Sequence, residues 1–448
     1  VTIVERYAEL HPESRVLSQR AARVFPDGVT HDIRHSSPFP LYAVKASGSR
    51  KWDADGNELI DYVMGHGALL LGHGYPAIVD AVDAQLRRGT HYGASHELEI
   101  RWGELVQQLV PSAERLRFTS SGTEATMMAL RLARAFAGRE KILRLGEHFH
   151  GWNDSVTGQP GPEETVPVSP GLPRGILDAS VVLPQNDVVA LERTLREDSG
   201  VIAAMILETT GAHWGTDPID IDYVRRARAL TAELDIILIF DEVITGFRVS
   251  PGGAQQAYGV TPDMTTLAKI VAGGLPGGCV AGRADIIDQI AVRDDGSRER
   301  ISHPGTFNAN PLSAAAGSTC LATIADGSHQ DRASQTASTI ARGMNAAFRD
   351  ESVPGAVYGA ASMLHIAFGM DEQPPDGYSW GWRALPKPAP RVPAAAAQAL
   401  RLAMINEGVD LMGDGMMVSS AHTQDDAVRT IKAFRRTLRA MKADGLAL

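Results

Sequence analysis

The chain has 448 residues, 44% of them apolar and 21% charged, with a formal net charge of −10. That is the composition of an ordinary globular protein with room for one large domain and a smaller one, and its acidic balance argues against a nucleic-acid surface. Two cysteines, Cys279 and Cys320, cannot build a disulfide framework, and neither has metal-ligand spacing.

The first residues, Val1 to Arg6, lack the basic region and apolar core of a signal peptide. No run approaches the roughly 18 apolar residues of a membrane span, so a cytoplasmic protein is expected. A helix is predicted over about Ser14–Val24, then an irregular stretch rich in Pro, His and Ser from Thr30 to Pro40. Lys51 to Asp61 reads as strand, Asp-Gly turn, strand. Ile78, Val79, Val82 and Leu86 recur at helical spacing within Pro76–Arg88.

From about residue 98 to 325, strand-like and helix-like segments alternate. Leu116–Phe118 leads into a helix over Glu124–Ala137; Lys141–Leu145 and Ile202–Leu207 are strands, and Ile221–Glu233 is a helix. Further strand-like runs end at Asp241 and Lys269. The alternation predicts an α/β domain with a mostly parallel sheet, whose ligands bind beyond the carboxyl ends of the strands. Asp154–Gly175 lacks periodicity and reads equally as a surface loop or an active-site lid. Pro374–Pro393 is a second irregular insertion, followed by amphipathic helices at Ala394–Gly408 and Asp425–Lys442.

Asp241 and Lys269 stand at the ends of two such runs. An acid and an amine at neighbouring strand ends suit pyridoxal 5′-phosphate (PLP). The lysine forms the Schiff base and the acid keeps the pyridine nitrogen protonated. Either residue alone reads more simply as a capping or paired surface charge. Ser121, Gly122 and Thr123 open the helix after the first strand, where free N–H groups suit a phosphate; an ordinary Ser/Thr N-cap is the alternative. After the next strand comes Gly146 to Trp152, whose aromatic can stack on a flat ring. His148 and His150 lack a clear third metal ligand. Glu208 and His213 follow a further strand, placed to bond a phenolic oxygen or to gate substrate charge. Thr306 lies in a Gly/Asn/Pro turn ahead of a small-residue helix, Leu312–Thr323, and is a further phosphate donor candidate.

The ordered set SGTEA (121–125), HFHG (148–151), DEVITGFR (241–248), LAK (267–269), GGLPGG (273–278) and GTFNANP (305–311) resembles the class III aminotransferases of fold type I over most of the chain. The resemblance implies a central, mostly parallel sheet in a large domain at 71–330. A smaller α+β domain would be built from 1–70 and 331–448. It implies PLP as cofactor and a homodimer with shared sites, in which Thr306 reaches the phosphate of the partner subunit's cofactor. Lys269 and Asp241 would be catalytic, and Ser121, Gly122, Thr123, Phe149, His150, Glu208, His213 and Val243 would line the cofactor. Phe149 and Val243 would sandwich its ring.

Gly28–Arg34 is similar to the N-terminal segment of the glutamate-1-semialdehyde aminomutase branch, which makes Arg34 the candidate for the substrate carboxylate. The aminomutases carry Tyr, Pro and Asn where this chain has Phe149, Thr209 and His213, and a Phe-Glu-Ala-Gly stretch where it has Gly413–Met416. Gly65–Leu69, Ala94–His96, His150–Trp152 and Gly211–Gly215 resemble D-phenylglycine aminotransferase. The expected reaction is transfer of an amino group from an amino acid, such as the aryl D-amino acid D-phenylglycine, to a 2-oxo acid such as 2-oxoglutarate. An aminomutase or racemase at the same site is the alternative.

Overall fold

A computed structural model describes residues 1–160, 165–167, 169–292, 300–390 and 392–446. The chain divides into two compact units, one of residues 76–328 and 382–385, the other of 1–75, 329–381 and 386–448. Among the described residues, no helix is long and apolar enough to cross a membrane.

The first of these units is built on a seven-stranded sheet. Its strands are β1 (Arg115–Thr119), β2 (Lys141–Leu145), β3 (Ser180–Leu183), β4 (Ile202–Glu208), β5 (Ile237–Asp241), β6 (Met264–Ala268) and β7 (Gly278–Gly282). The spatial order is β1-β7-β6-β5-β4-β2-β3. The pairs from β6 through β3 are parallel, while β7 is antiparallel to both its neighbours. Leu143, Met205, Leu238 and Phe240 pack on one face, against Leu191 of α1 (Val188–Glu197) and Val224 and Leu230 of α2 (Ile221–Glu233). Ile142, Ile206 and Ile239 pack on the other, against Met128 and Leu132 of the helix Gly122–Ala137. Helices on both faces explain why β4 and β5 are apolar almost throughout rather than alternating.

The second unit holds a four-stranded sheet, ordered Ala43–Ser47, Arg50–Asp53, Glu58–Asp61, Val409–Asp410, and a three-stranded sheet of Gly355–Ala360, Met363–Phe368 and Gly415–Met417. Its core joins Tyr7, Tyr62, Phe348, Leu400 and Phe434.

Several boundaries differ from the sequence-based expectation. The helix expected over about Ser14–Val24 runs Pro12–Ala21, because Pro12 sets its first turn, and an unexpected helix, Ile3–Leu10, precedes it. The stretch read as aperiodic contains a short helix at Asp154–Val156 and a hairpin of Gly158–Pro160 with Thr165–Pro167; 161–164 and 168 lie outside the described residues. A 23-residue helix, Ser328–Asp350, and strand β7 were not anticipated.

Candidate active site

The parallel register brings three residues side by side at the carboxyl edge of the sheet. Asp241 pairs with Glu208 across β4 and with Thr266 across β6, and Lys269 follows the end of β6. Asp241 is 6% exposed. Its Oδ2 lies 2.8 Å from His150 Nδ1, and its Oδ1 accepts from Val243 N at 3.1 Å and Thr266 Oγ1 at 3.2 Å. A carboxylate only accepts, so His150 carries its proton on Nδ1. The aspartate is thus oriented from three sides.

Lys269 has φ +55°, in the left-handed region that L side chains avoid at a cost of about 1–2 kcal/mol. The short turn Lys269–Ala272 that follows is closed by Gly273 at φ +62°, where a Cβ would meet Ala316 O at 2.6 Å. The packed turn therefore imposes the backbone that aims the lysine. Burial pushes the Lys269 amine below the ordinary lysine range, with Asp241 and Glu208 pulling the other way and Arg248 reinforcing it. Desolvation favours the neutral amine that a nucleophile and base require.

The helix Gly122–Ala137 begins beside these residues. Ser121 is its N-cap: its Oγ accepts Glu124 N at 3.2 Å and its carbonyl accepts Ala125 N at 3.1 Å. The N–H groups of Gly122 and Thr123 stand at the open end of the helix, the arrangement that receives an anion. A Cβ on Gly122 would come within 3.0 Å of both Val243 methyls and 3.3 Å of Ala268. The missing side chain lets the helix terminus lie directly against the Asp241 loop and the strand that carries Lys269.

Glu208 is buried at the end of β4. Its Oε1 accepts from Phe149 N at 2.7 Å and His213 N at 3.1 Å, and its Oε2 from Trp214 N at 2.9 Å. Burial pushes its carboxyl up to about 8, despite those amide donors. Phe149 is 60% exposed, so its ring is presented rather than packed; His213 is exposed as well. His148 accepts Glu208 N on Nδ1 at 2.8 Å and faces Gln185 Oε1 through Nε2 at 2.9 Å. Burial pushes His148 down to about 3, so it is neutral at ordinary pH.

Two further candidates make their hydrogen bonds outside this group. Thr306 is exposed, its carbonyl 2.6 Å from His91 Nε2; it lines a cavity of about 450 Å³ with His91, Tyr92, Ser95, His96 and Asn308. Arg34 ends a short helix, Asp32–Arg34, in the other unit, and is exposed with Nη1 donating to Thr30 Oγ1 at 3.0 Å. Thr266, His148 and Gln185 were not anticipated in these roles. Gln185 stands two residues after β3, near a strand end as Asp241 is, and that placement was the available signal.

The residues fit PLP: a half-buried lysine aimed by an enforced backbone, an aspartate oriented from three sides, and a helix terminus held against both by Gly122. The family profile "Aminotransferase class-III" matches residues 33–431. Glutamate-1-semialdehyde 2,1-aminomutase of Archaeoglobus fulgidus is 37% identical over 439 residues, covering 95% of this chain and 99% of its own. A solved omega-transaminase from Sphaerobacter thermophilus is 32% identical with a TM-score of 0.86, covering 96% of this chain and 98% of that one. A transaminase solved with PLP bound gives a TM-score of 0.86 at 28% identity, covering 97% and 99%. The expected closeness to D-phenylglycine aminotransferase finds no support in these relatives; the Archaeoglobus protein carries the aminomutase name instead. The chain belongs to the class-III aminotransferases: it has the fold type I architecture and is a PLP-dependent enzyme.

Proposed function

We propose that this enzyme moves an amino group within a carboxylate-bearing amino compound, as the name of its Archaeoglobus relative describes, using Lys269 as covalent anchor and base. Identity of 37% along nearly the whole of both chains supports that reaction over others of the family. The observation that carries the chemistry is the strand-edge group of Asp241, Glu208 and Lys269.

When bound, the cofactor ring supplies an electron sink for the pair left at the substrate Cα. Asp241, oriented by His150, Val243 N and Thr266, keeps a proton on the ring nitrogen. Lys269, favoured as the neutral amine, would be the base that takes the proton from the substrate Cα and gives it back. Gly122 and Thr123 receive the phosphate, while Phe149 and Val243 flank the ring. Arg34 suits a substrate carboxylate through its planar fork of donors. In this reading the enzyme is a homodimer, in which Thr306 serves the partner subunit's phosphate. The exposure of Tyr92 and Phe307 around the cavity beside Thr306 supports a covered surface there.

A second reading is transamination from an aryl D-amino acid such as D-phenylglycine to 2-oxoglutarate. His213 favours it, because it stands within the Gly211–Gly215 stretch that resembles D-phenylglycine aminotransferase, while Phe149 and Thr209 depart from both patterns. One pair of assays separates the two. Conversion of glutamate-1-semialdehyde to 5-amino-4-oxopentanoate without added keto acid supports the mutase. Bleaching of the visible cofactor band by D-phenylglycine, recovered on adding 2-oxoglutarate, replaces it with the transaminase.

A further inference from the structure

We infer that Glu208 is a positioning residue that ties together the two segments flanking the ring site, 147–150 and 212–214, and so fixes the backbone from which Phe149 projects. The inference rests on the PLP reading above. It differs from a direct role for Glu208 on the cofactor in that the residue acts through three backbone amides.

Three amide donors converge on it: Phe149 N from one segment, and His213 N and Trp214 N from the other. Both segments contain residues forced into left-handed backbone: Glu147 at φ +63°, His213 at +48° and Trp214 at +53°. None is a glycine, so these turns need an outside tether. The residue provides a second link through its own backbone. Glu208 N donates to His148 Nδ1, His148 Nε2 meets Gln185 Oε1, and Gln185 Oε1 accepts Ala212 N at 3.4 Å. Gln185 Nε2 donates onward to Asp217 O at 2.9 Å. The two segments are therefore joined through Glu208 both by its carboxylate and by the His148–Gln185 path.

Phe149 needs such a tether more than a tyrosine would. Its ring has no polar handle and the residue is 60% exposed, so where the ring projects depends on its backbone, whose N–H goes to Glu208. A buried carboxylate also carries a desolvation cost, visible in its raised pKa. Removing it would leave three amides without partners.

The test is a double-mutant cycle on the full-length holoenzyme with Glu208→Gln, Phe149→Ala and the pair. The readouts are circular dichroism of the visible cofactor band per bound PLP and the dissociation constant for PLP. Glu208→Gln is expected to lower the dichroism at least twofold and to weaken PLP about tenfold. In the Phe149→Ala background it should add little, because the ring it orients is gone. Effects that add independently on both readouts would overturn the inference, as would a Glu208→Gln protein that merely melts earlier with unchanged dichroism. If Glu208→Gln fails to fold, Gln185→Ala is read in the same cycle, and additivity there overturns it equally. A wild-type protein that develops no visible band with PLP would instead sink the PLP reading itself, and the inference with it.

Discussion

Two of the places where the protein buries ionisable groups behave in opposite ways. In the unit that contains the N-terminus, Lys51 Nζ lies 2.9 Å from Asp61 Oδ1 and 2.5 Å from Asp410 Oδ2, and His73 Nε2 lies 2.6 Å from Asp61 Oδ2. Burial works against the charged forms there, but pairing outweighs it. Asp410 and Asp61 raise the Lys51 pKa, while His73 and Lys51 bring the Asp61 carboxyl well below the usual carboxylate range. At the edge of the seven-stranded sheet burial wins: the Lys269 amine is pushed down and the Glu208 carboxyl up. Paired charges stabilise a fold. Poorly compensated ones are driven toward their neutral forms, which for a lysine is the nucleophile and base.

The sharpest way to break this contrast is to remove the lysine from each place. Lys269→Ala should abolish covalent attachment of PLP and reduce turnover by on the order of 10⁴-fold or more, while the protein still binds PLP non-covalently. Retention of full turnover would take Lys269 out of its role. On the paired side, Asp61→Ala should cost about 3–5 kcal/mol in denaturant unfolding, because Lys51 loses one buried partner and His73 its own. The Asp61 contribution also has a pH signature. Its carboxyl is depressed in the folded state, so its stabilisation is full above the ordinary carboxylate range and fades as pH falls below about 4. An acid titration of unfolding free energy should show that loss in the wild type and less of it in the variant.

Thr266→Val tests a smaller link, the hydroxyl bond to Asp241 Oδ1. Losing one such bond costs about 0.5–1.5 kcal/mol, or roughly two- to twelvefold in kcat/KM. A larger loss would mean that the hydroxyl does more than orient the aspartate. The subtlest effect is a shift in pH. Covalent uptake of PLP by the apoprotein needs the neutral amine, so its rate should rise with pH and level off below 10.5, the ordinary lysine value. Asp241 raises the Lys269 pKa, so Asp241→Asn should move the plateau to still lower pH. A plateau at the ordinary lysine value would contradict the effect of burial.

Much of the large unit was legible from the chain because its strands are short apolar runs bounded by charged or turn residues. Ile237–Asp241 and Met264–Ala268 stand close to their expected bounds, and their final or following residues are the two that carry the chemistry. The parallel sheet follows from the same alternation. Strand β7 escaped notice because Gly278 and Gly282 bound a run of small residues, which carries little strand signal although the whole strand is buried. The helix Ser328–Asp350 was missed although Ile340, Met344 and Phe348 recur on its buried face at helical spacing.

The sequence by itself placed Asp241 and Lys269 at strand ends and Gly122 at a helix start, because these are local features. Only the tertiary structure decided what surrounds them. The partnership of Glu208 with Phe149, His213 and Trp214 spans 59, 5 and 6 residues, and that of Asp241 with His150 spans 91. Whether a buried charge is paired or left poorly compensated depends on which side chains the fold brings within hydrogen-bond reach. That proximity sets the pKa of each group, and local spacing does not encode it.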